Sequence, residues 1–227
     1  MIKDLTILVL AGGKGERLLP LTKSLPKPLI KINKKEILSY VLESFLNFNF
    51  QKILVLTGYK SHLIDRFINL KYKKLNIKTK FTGVNSDISA RIEKTYNQLS
   101  NNILICYGDT LADVNFNKLI RFYIKKNFKT ILTTYQHRSS FGIIKLNKNK
   151  IIESFLEKPK LDFYINIGYI LIQKKVLKNI KRFKNFEGFL KYLIKKNKVF
   201  SYVHKGKHIT VNTIYELEQA KKNLKKK

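Results

Sequence analysis

The chain has 227 residues, 44% of them hydrophobic and 12% aromatic, enough apolar material for one sizeable domain and too much for a disordered chain. No apolar run reaches the roughly 18 residues that a membrane-crossing helix needs, and the apolar stretch behind Met1, Ile2, Lys3 and Asp4 is too short for a secretory leader and lacks a small-residue cleavage site. The net charge of +31 comes from 40 lysines and 6 arginines spread along the chain among many Asn and Ile residues, the pattern of AT-rich codons rather than of a dedicated nucleic-acid face, and the single cysteine, Cys106, excludes an internal disulfide and favours a cytoplasmic location.

The first apolar run, 5–10, reads as a buried strand. Gly12, Gly13 and Gly15 follow it at once, with Lys14, Arg17, Lys23 and Lys27 around them and Pro20, Pro26 and Pro28 stiffening the backbone. A helix is expected over 36–49, with Ile37, Tyr40, Val41, Ser44 and Phe45 on one face. A strand at 53–57 precedes a helix over 61–70 that Ser61 caps. A helix over 88–99, a strand at 102–107 and a helix over 115–126 come next. This alternation implies right-handed βαβ units and a mainly parallel sheet, which binds ligands at the carboxyl ends of its strands.

Beyond residue 129 the texture changes. "TILTTYQ", "FGIIKL", "IIESFLE" and "YINIGYILI" are strand-like and are joined by turns such as "NKNK", so the sheet becomes mixed. Helices over 174–182 and 186–196, strands near 199–203 and 208–211, and a terminal helix from Ile214 complete the pattern, with "KKNLKKK" at 221–227 as its frayed end. No linker or repeat divides the chain. The expectation is one α/β domain over 1–227, a Rossmann-like three-layer sandwich with a mixed, mainly parallel sheet.

The glycine stretch fails two familiar phosphate patterns. No Gly-Lys-Ser/Thr follows at Walker spacing, and Gly13-Lys14-Gly15-Glu16-Arg17-Leu18 supplies Leu where the dinucleotide fingerprint needs a third small residue. A plain surface turn does not explain the four flanking cations. The stretch "LAGGKGERLLPLTKSLPKPLIKI" resembles the signature of the sugar-1-phosphate nucleotidylyltransferases, which make an NDP-sugar and pyrophosphate from an NTP and a sugar 1-phosphate. The likeness continues in order through "YGDTLADVN", "FGIIKL", "SFLEKP" and "YINIGYILI" and covers nearly the whole chain. It is closest to the glucose-1-phosphate cytidylyltransferase branch, hence CTP, while the short length also suits the heptose-1-phosphate guanylyltransferase branch.

The resemblance implies the nucleotide-diphospho-sugar transferase type of sandwich, with 1–128 mainly binding nucleotide and 129–227 mainly binding the sugar phosphate. Leu10, Ala11, Gly12, Gly13, Gly15 and Gly108 then surround the nucleotide, where glycines let backbone N–H groups approach phosphate oxygens. Arg17 grips phosphate oxygens with its planar fork, and Lys27, held between prolines, is a point charge near the α-phosphate. Lys14 and Lys23 are as readily solvated lysines as phosphate contacts. Asp109, at the end of its strand, is the Mg²⁺ ligand rather than a helix cap, whereas Asp113 is read as a cap or turn residue. Glu157 receives sugar hydroxyls and Lys158 the sugar's phosphate, against a plain surface ion pair; Asn166 bonds hydroxyls, and Gly142 and Gly168 leave room for the ring, though Gly142 equally suits a strand irregularity. One departure stands out: where the family carries a second metal-binding aspartate, this chain has Asn212 in "HITVNT".

His62, His137, His204 and His208 form no ligand cluster and are read as surface or packing residues, and Cys106 as a core residue. The implied reaction is in-line attack on the NTP α-phosphorus by an already ionised sugar phosphate, with Mg²⁺ as cofactor and no general base. Two rivals remain, a nucleotide-binding homologue with weak or lost chemistry, suggested by Asn212, and a basic RNA-binding protein, for which no aromatic-basic motif is visible. The base, whose contacts are placed near 84–89, the sugar, and whether the chain forms a homo-oligomer are left open.

Overall fold

The computed structural model describes residues 2, 4–48, 50 and 52–225. Strand β1 (Leu5–Ala11) is followed by three 3-10 turns at Glu16–Leu18, Leu21–Lys23 and Lys27–Leu29, then by the short ladder β2 (Lys31–Ile32) and β3 (Lys35–Glu36). Helix α1 (Ile37–Leu46), β4 (Ile53–Thr57), α2 (Ser61–Lys71), β5 (Ile77–Phe81), α3 (Ile88–Glu93), β6 (Asn102–Tyr107), β7 (Thr110–Ala112) and α4 (Phe116–Lys125) complete the first half. The second half holds β8 (Thr130–Arg138), β9 (Ile143–Leu146), β10 (Ile152–Leu156), β11 (Lys160–Gln173), α5 (Lys174–Leu177), α6 (Phe186–Lys195), β12 (Val199–His204), β13 (His208–Thr210) and α7 (Ile214–Lys225).

Seven strands form the central sheet in the order β12-β8-β11-β6-β1-β4-β5. Only β11 runs against its neighbours, pairing antiparallel with β6 and β8, while the other pairings are parallel. This is the mixed, mainly parallel sheet that the apolar runs imply. Alternation along β1 sends Ile7 and Val9 to one face, against Phe45 of α1, Ile64 of α2, Phe116 of α4 and Leu217 of α7. Leu8 goes to the other face, with Ile92 of α3, Leu177 of α5 and Phe189 of α6. Both faces are therefore covered, which explains why these strands are apolar at nearly every position, with the buried Thr6 hydroxyl satisfied by Ser100. The rings of Phe45 and Phe116 meet at 5.1 Å and those of Phe116 and Tyr169 at 5.7 Å, fixing α1 and α4 on the sheet; losing Phe116 to Ala costs about 3–5 kcal/mol.

Several expectations need correction. Strand β5 was not anticipated: its run "IKTKF" has lysines at alternate positions because it is the sheet's edge, where charge suppresses further pairing. Helix α2 starts behind Lys60, in the left-handed region at φ 49, and Ser61 makes no capping bond. The helix expected over 88–99 ends at Glu93, with a separate 3-10 turn at Tyr96–Gln98, and that over 174–182 is one α-turn plus a 3-10 turn at Ile180–Arg182. Helix α1 ends at Leu46; Asn49, and Lys226 and Lys227 of the terminal run, lie outside the described residues.

Candidate active site

The carboxyl ends of β1 and β6 lie side by side, the Gly108 N–H donating to the Leu10 carbonyl at 3.0 Å. A cleft of about 780 Å³ opens over them. Leu10, Ala11, Gly12, Gly13, Gly15, Arg17, Lys27, Gly108, Asp109 and Asn212 all line it, as does Lys14, whereas Lys23 does not. The loop from Val84 to Ile88 forms its opposite wall.

The glycine turn is held from behind. The Gly12 carbonyl accepts from Tyr59 N and from Arg91 Nη2, both at 3.1 Å. Arg91 is buried, 5% exposed, and also donates to the Thr57 carbonyl at 3.1 Å, Thr82 Oγ1 at 2.7 Å and the Val84 carbonyl at 3.3 Å. One guanidinium thus ties the ends of β1, β4 and β5 together. A Cβ on Gly12 would lie 2.1 Å from Arg91 Nη1, so this close approach requires glycine. Burial lowers the Arg91 pKa, opposed by the Asp87 carboxylate. Sequence reasoning missed Arg91, although one signal was present: a chain with 40 lysines that keeps an arginine in "ISARIE" is using the planar fork, which lysine lacks. With Gly12 pinned, the N–H groups of Gly13, Lys14 and Gly15 find no acceptor among the described residues, leaving a row of donors on the cleft wall.

Lys27 enters from below. Pro26 is extended and Pro28 sits in the first positions of the 3-10 turn Lys27–Leu29, so the lysine stem has one direction. It runs past Gly15, at φ 67, where a Cβ would come within 2.9 Å of Lys27 Cβ. The ammonium ends 2.5 Å from Asp109 Oδ2 and 3.0 Å from Asn212 Oδ1, with the lysine side chain 11% and the aspartate 33% exposed. Asn212 stands 185 positions further along the chain. It is fixed by the start of α7: Thr213 Oγ1 accepts from Glu216 N at 3.2 Å, and the Glu216 carboxylate accepts from Asn212 N at 2.5 Å, a variant of the capping box.

This triad also tests the site for a divalent ion. Among the described residues no group of three His, Cys, Asp or Glu side chains could hold a metal. Mg²⁺, however, takes only one or two protein oxygens and fills the rest of its shell with water and substrate phosphates. Asp109 and Asn212 already aim two hard oxygens at one cation, the Lys27 ammonium. Their chemistry and placement fit Mg²⁺.

The residues assigned to the sugar phosphate do not line this cleft. Glu157 and Lys158 are exposed and form a 3.4 Å ion pair with each other. Asn166 Oδ1 accepts from Gly168 N at 2.9 Å and lies beside Tyr107, a cleft residue. At both glycines an aromatic ring of the protein packs against the backbone. A Cβ on Gly168, φ 79, would meet the Tyr107 ring at 2.7 Å, and one on Gly142 the Phe155 ring at 2.6 Å. Burial raises the Tyr107 pKa, opposed by the Asn166 hydrogen bond.

Asp113 is no cap of α4, which Asn115 caps through Lys118 N at 3.0 Å. Asp113 Oδ1 instead accepts from Lys207 N at 2.6 Å and lies 3.1 Å from His204 Nε2, clamping the turn before β13. His204 and His208 pack on Tyr135, His137 stacks on Phe163, and Cys106 is fully buried with its thiol pKa pushed well up by burial.

A mixed sheet with a glycine turn, a buried lysine and a strand-end aspartate converging at its carboxyl edge defines a nucleotide-handling α/β fold. The chain belongs to the nucleotidyl transferase family, which matches residues 6–208. It is 27% identical over 183 residues to the mannose-1-phosphate guanylyltransferase catalytic subunit beta of Drosophila melanogaster, covering 77% of this chain and 50% of that one. With the glucose-1-phosphate adenylyltransferase of Mycoplasma mobile it shares 28% identity, covering 94% of this chain and 66% of the relative. With the "Probable glucose-1-phosphate cytidylyltransferase" of Bacillus subtilis it shares 27% over 239 residues, 94% of each chain. It therefore spans half to two thirds of the first two relatives and nearly all of the third. In fold it matches a Bacillus anthracis candidate glucose-1-phosphate thymidylyltransferase crystallised with a sucrose, at TM-score 0.78 and 17% identity, over 98% of this chain and 96% of that one. HddC from Yersinia pseudotuberculosis follows at 0.72 and 21%, over 96% and 99%. Among the described residues no helix is long and apolar enough to cross a membrane.

Proposed function

We propose that this chain is a sugar-1-phosphate nucleotidylyltransferase, joining the nucleotidyl group of an NTP to a sugar 1-phosphate and releasing pyrophosphate. The observation that carries this reading is the convergence of Gly13, Lys27, Asp109 and Asn212 on one cleft at the carboxyl ends of β1 and β6. The unpaired N–H row from Gly13 to Gly15 and the exposed Arg17 hold the triphosphate. A sugar-phosphate oxygen bonds to the α-phosphorus as the bond to the bridging oxygen of the β-phosphate breaks. The nucleophile arrives ionised, so positioning and charge stabilisation supply the catalysis and no base is needed. Lys27 places its ammonium beside the reacting phosphate, and Glu157, Lys158 and Asn166 orient the sugar phosphate from the second half of the chain. Asp109 with Asn212 would hold Mg²⁺, which would supply neutralisation of phosphate charge when bound.

Residues 1–128 on this reading mainly bind nucleotide and 129–227 the sugar phosphate, with Asn212 reaching back into the nucleotide cleft. CTP is the preferred base, supported by the Bacillus subtilis relative, of which 94% is covered; adenylyl and guanylyl names among the other relatives make this the first point to test. A pyrophosphate-release screen of the common NTPs against a panel of sugar 1-phosphates decides it: release with one pair identifies the substrates, and no release with any pair overturns the assignment. Asn212 in an aspartate's place favours one alternative, a binding homologue with slow chemistry, which nucleotide binding without pyrophosphate release selects.

A further inference from the structure

Asp109 and Asn212 each aim one oxygen at the Lys27 ammonium, but only Asp109 is charged. Asn212 also stands just before helix α7, whose N-terminus carries about half a unit of positive charge. Lys27, Asp109 and that helix end together leave a positive surplus, a poor setting for a divalent cation. A further anion is needed within reach, and Glu216 is placed to be it. Its carboxylate is partly buried and accepts from Asn212 N at 2.5 Å. Among the described residues it has no cationic partner within ion-pair distance, whereas the exposed Glu218 on the same helix pairs with Lys221 at 2.7 Å.

Helix capping alone does not account for this bond. In a capping box the first-turn acid reaches back to the N–H of the cap residue itself, here Thr213, whose Oγ1 accepts from Glu216 N at 3.2 Å. Glu216 reaches one residue further, to the residue whose side chain faces Lys27. Asn212 thus meets the carboxylate with its backbone and presents an oxygen on its side chain, so a single residue separates the charge from the site.

We propose that Glu216 is a positioning residue of the metal site, supplying through Asn212 the negative charge that an amide oxygen lacks. This rests on the reading of Asp109 and Asn212 as the pair that would hold Mg²⁺. Geometry and charge are separable here, because glutamine keeps an acceptor oxygen for Asn212 N and loses only the charge.

The test is calorimetric titration of the full chain with MgCl₂ in the absence of nucleotide, so that no turnover enters the reading; urea unfolding checks that each variant is folded. Glu216→Gln should weaken Mg²⁺ binding about three- to tenfold. Glu218→Gln should change it less than about twofold, since that charge is exposed and paired. The double variant Asn212→Asp with Glu216→Gln should return to within about twofold of wild type, because the charge lost at one residue is restored at the other. Equal affinity of wild type and Glu216→Gln, equal weakening by Glu218→Gln, or a double variant as weak as Glu216→Gln overturns the proposal and leaves the roles of Asp109 and Asn212 standing. A wild-type chain that binds no Mg²⁺ overturns the metal reading beneath it, and the proposal with it.

Discussion

The cleft over β1 and β6 and the ribbon of β9 and β10 are two ways of presenting a site. In the first, every functional side chain stands on backbone whose reverse side is buried: the glycine turn leans on Arg91, Lys27 on Gly15, Asn212 on the start of α7. In the second, the candidate sugar-phosphate residues stand on exposed backbone. Strand β11 links the two, since its buried half, Ile167 to Ile172, lies between β6 and β8, while its first half pairs with β8 alone and leaves Asp162, Phe163 and Tyr164 in solvent. The difference teaches where preorganisation resides. The cleft is held in shape by the protein's own buried contacts, whereas the ribbon is held by few.

The sharpest way to break that comparison is to remove a preorganised charge. Asp109→Ala should lower the rate of pyrophosphate release about 1,000-fold, since it deletes the carboxylate that seats Lys27 and that is proposed to hold the metal. Arg17→Ala should cost about 100-fold, because the exposed guanidinium contributes a phosphate grip and no scaffold. Near-normal turnover by Asp109→Ala sinks the catalytic reading altogether.

A pair of glycine substitutions contrasts the two regions at similar local crowding. A Cβ at Gly12 meets Arg91 at 2.1 Å and one at Gly142 meets Phe155 at 2.6 Å. Arg91 is buried and bound by four acceptors; Phe155 is 60% exposed and can swing out. Gly12→Ala should therefore cost about 2 kcal/mol in denaturant unfolding, and Gly142→Ala less than about 0.5 kcal/mol. Equal losses would show that the ribbon is as tightly held as the cleft.

The same contrast governs what the sequence disclosed. Strands β1, β4 and β6 were legible because burial on both faces leaves runs that are almost wholly apolar, and the cleft because Gly12, Gly13 and Asp109 stand at the ends of those runs and Lys27 between two prolines. Strand β5 was not, because an edge strand needs charge rather than apolarity. Arg91 was hidden for a different reason: three of its four partners are backbone carbonyls brought in from Gly12, Thr57 and Val84, and carbonyls leave no mark in a sequence. The neighbours of Gly142 and Gly168 were equally invisible, since a gap beside a glycine can be filled by the protein's own ring as readily as by a ligand.

The junction between the regions has its own probe in pH. His208, packed on Tyr135 of β8, has its pKa pushed down to about 4 by burial and by neighbouring His204, with Glu216 opposing. A depressed value means that the unfolded chain takes up a proton near pH 6.5 that the folded chain refuses. The stability this group supplies is complete above that pH and is lost as pH falls towards 4. With the ring partly reached by solvent, the loss is on the order of 1 kcal/mol. His208→Gln should flatten that part of the stability profile, measured by urea unfolding between pH 7 and 4; an unchanged slope assigns the pH dependence to other groups.

A last test concerns Asn212, which stands where the resemblance places a second metal-binding aspartate. Asn212 offers the same oxygen as an aspartate, from a backbone already fixed by Glu216, but brings no charge. Asn212→Asp leaves the geometry intact and adds one negative charge beside Asp109, so Mg²⁺ should bind about three- to tenfold more tightly. Two carboxylates around one ammonium should also hold Lys27 more firmly, which works against turnover if that ammonium must move to the phosphate. Calorimetric Mg²⁺ titration and the rate of pyrophosphate release separate these effects. Tighter metal with faster release means that missing charge limits the natural chain; tighter metal with slower release means that Asn212 keeps Lys27 free to move. Equal affinity in the two forms would remove position 212 from the metal shell and leave Asp109 alone there.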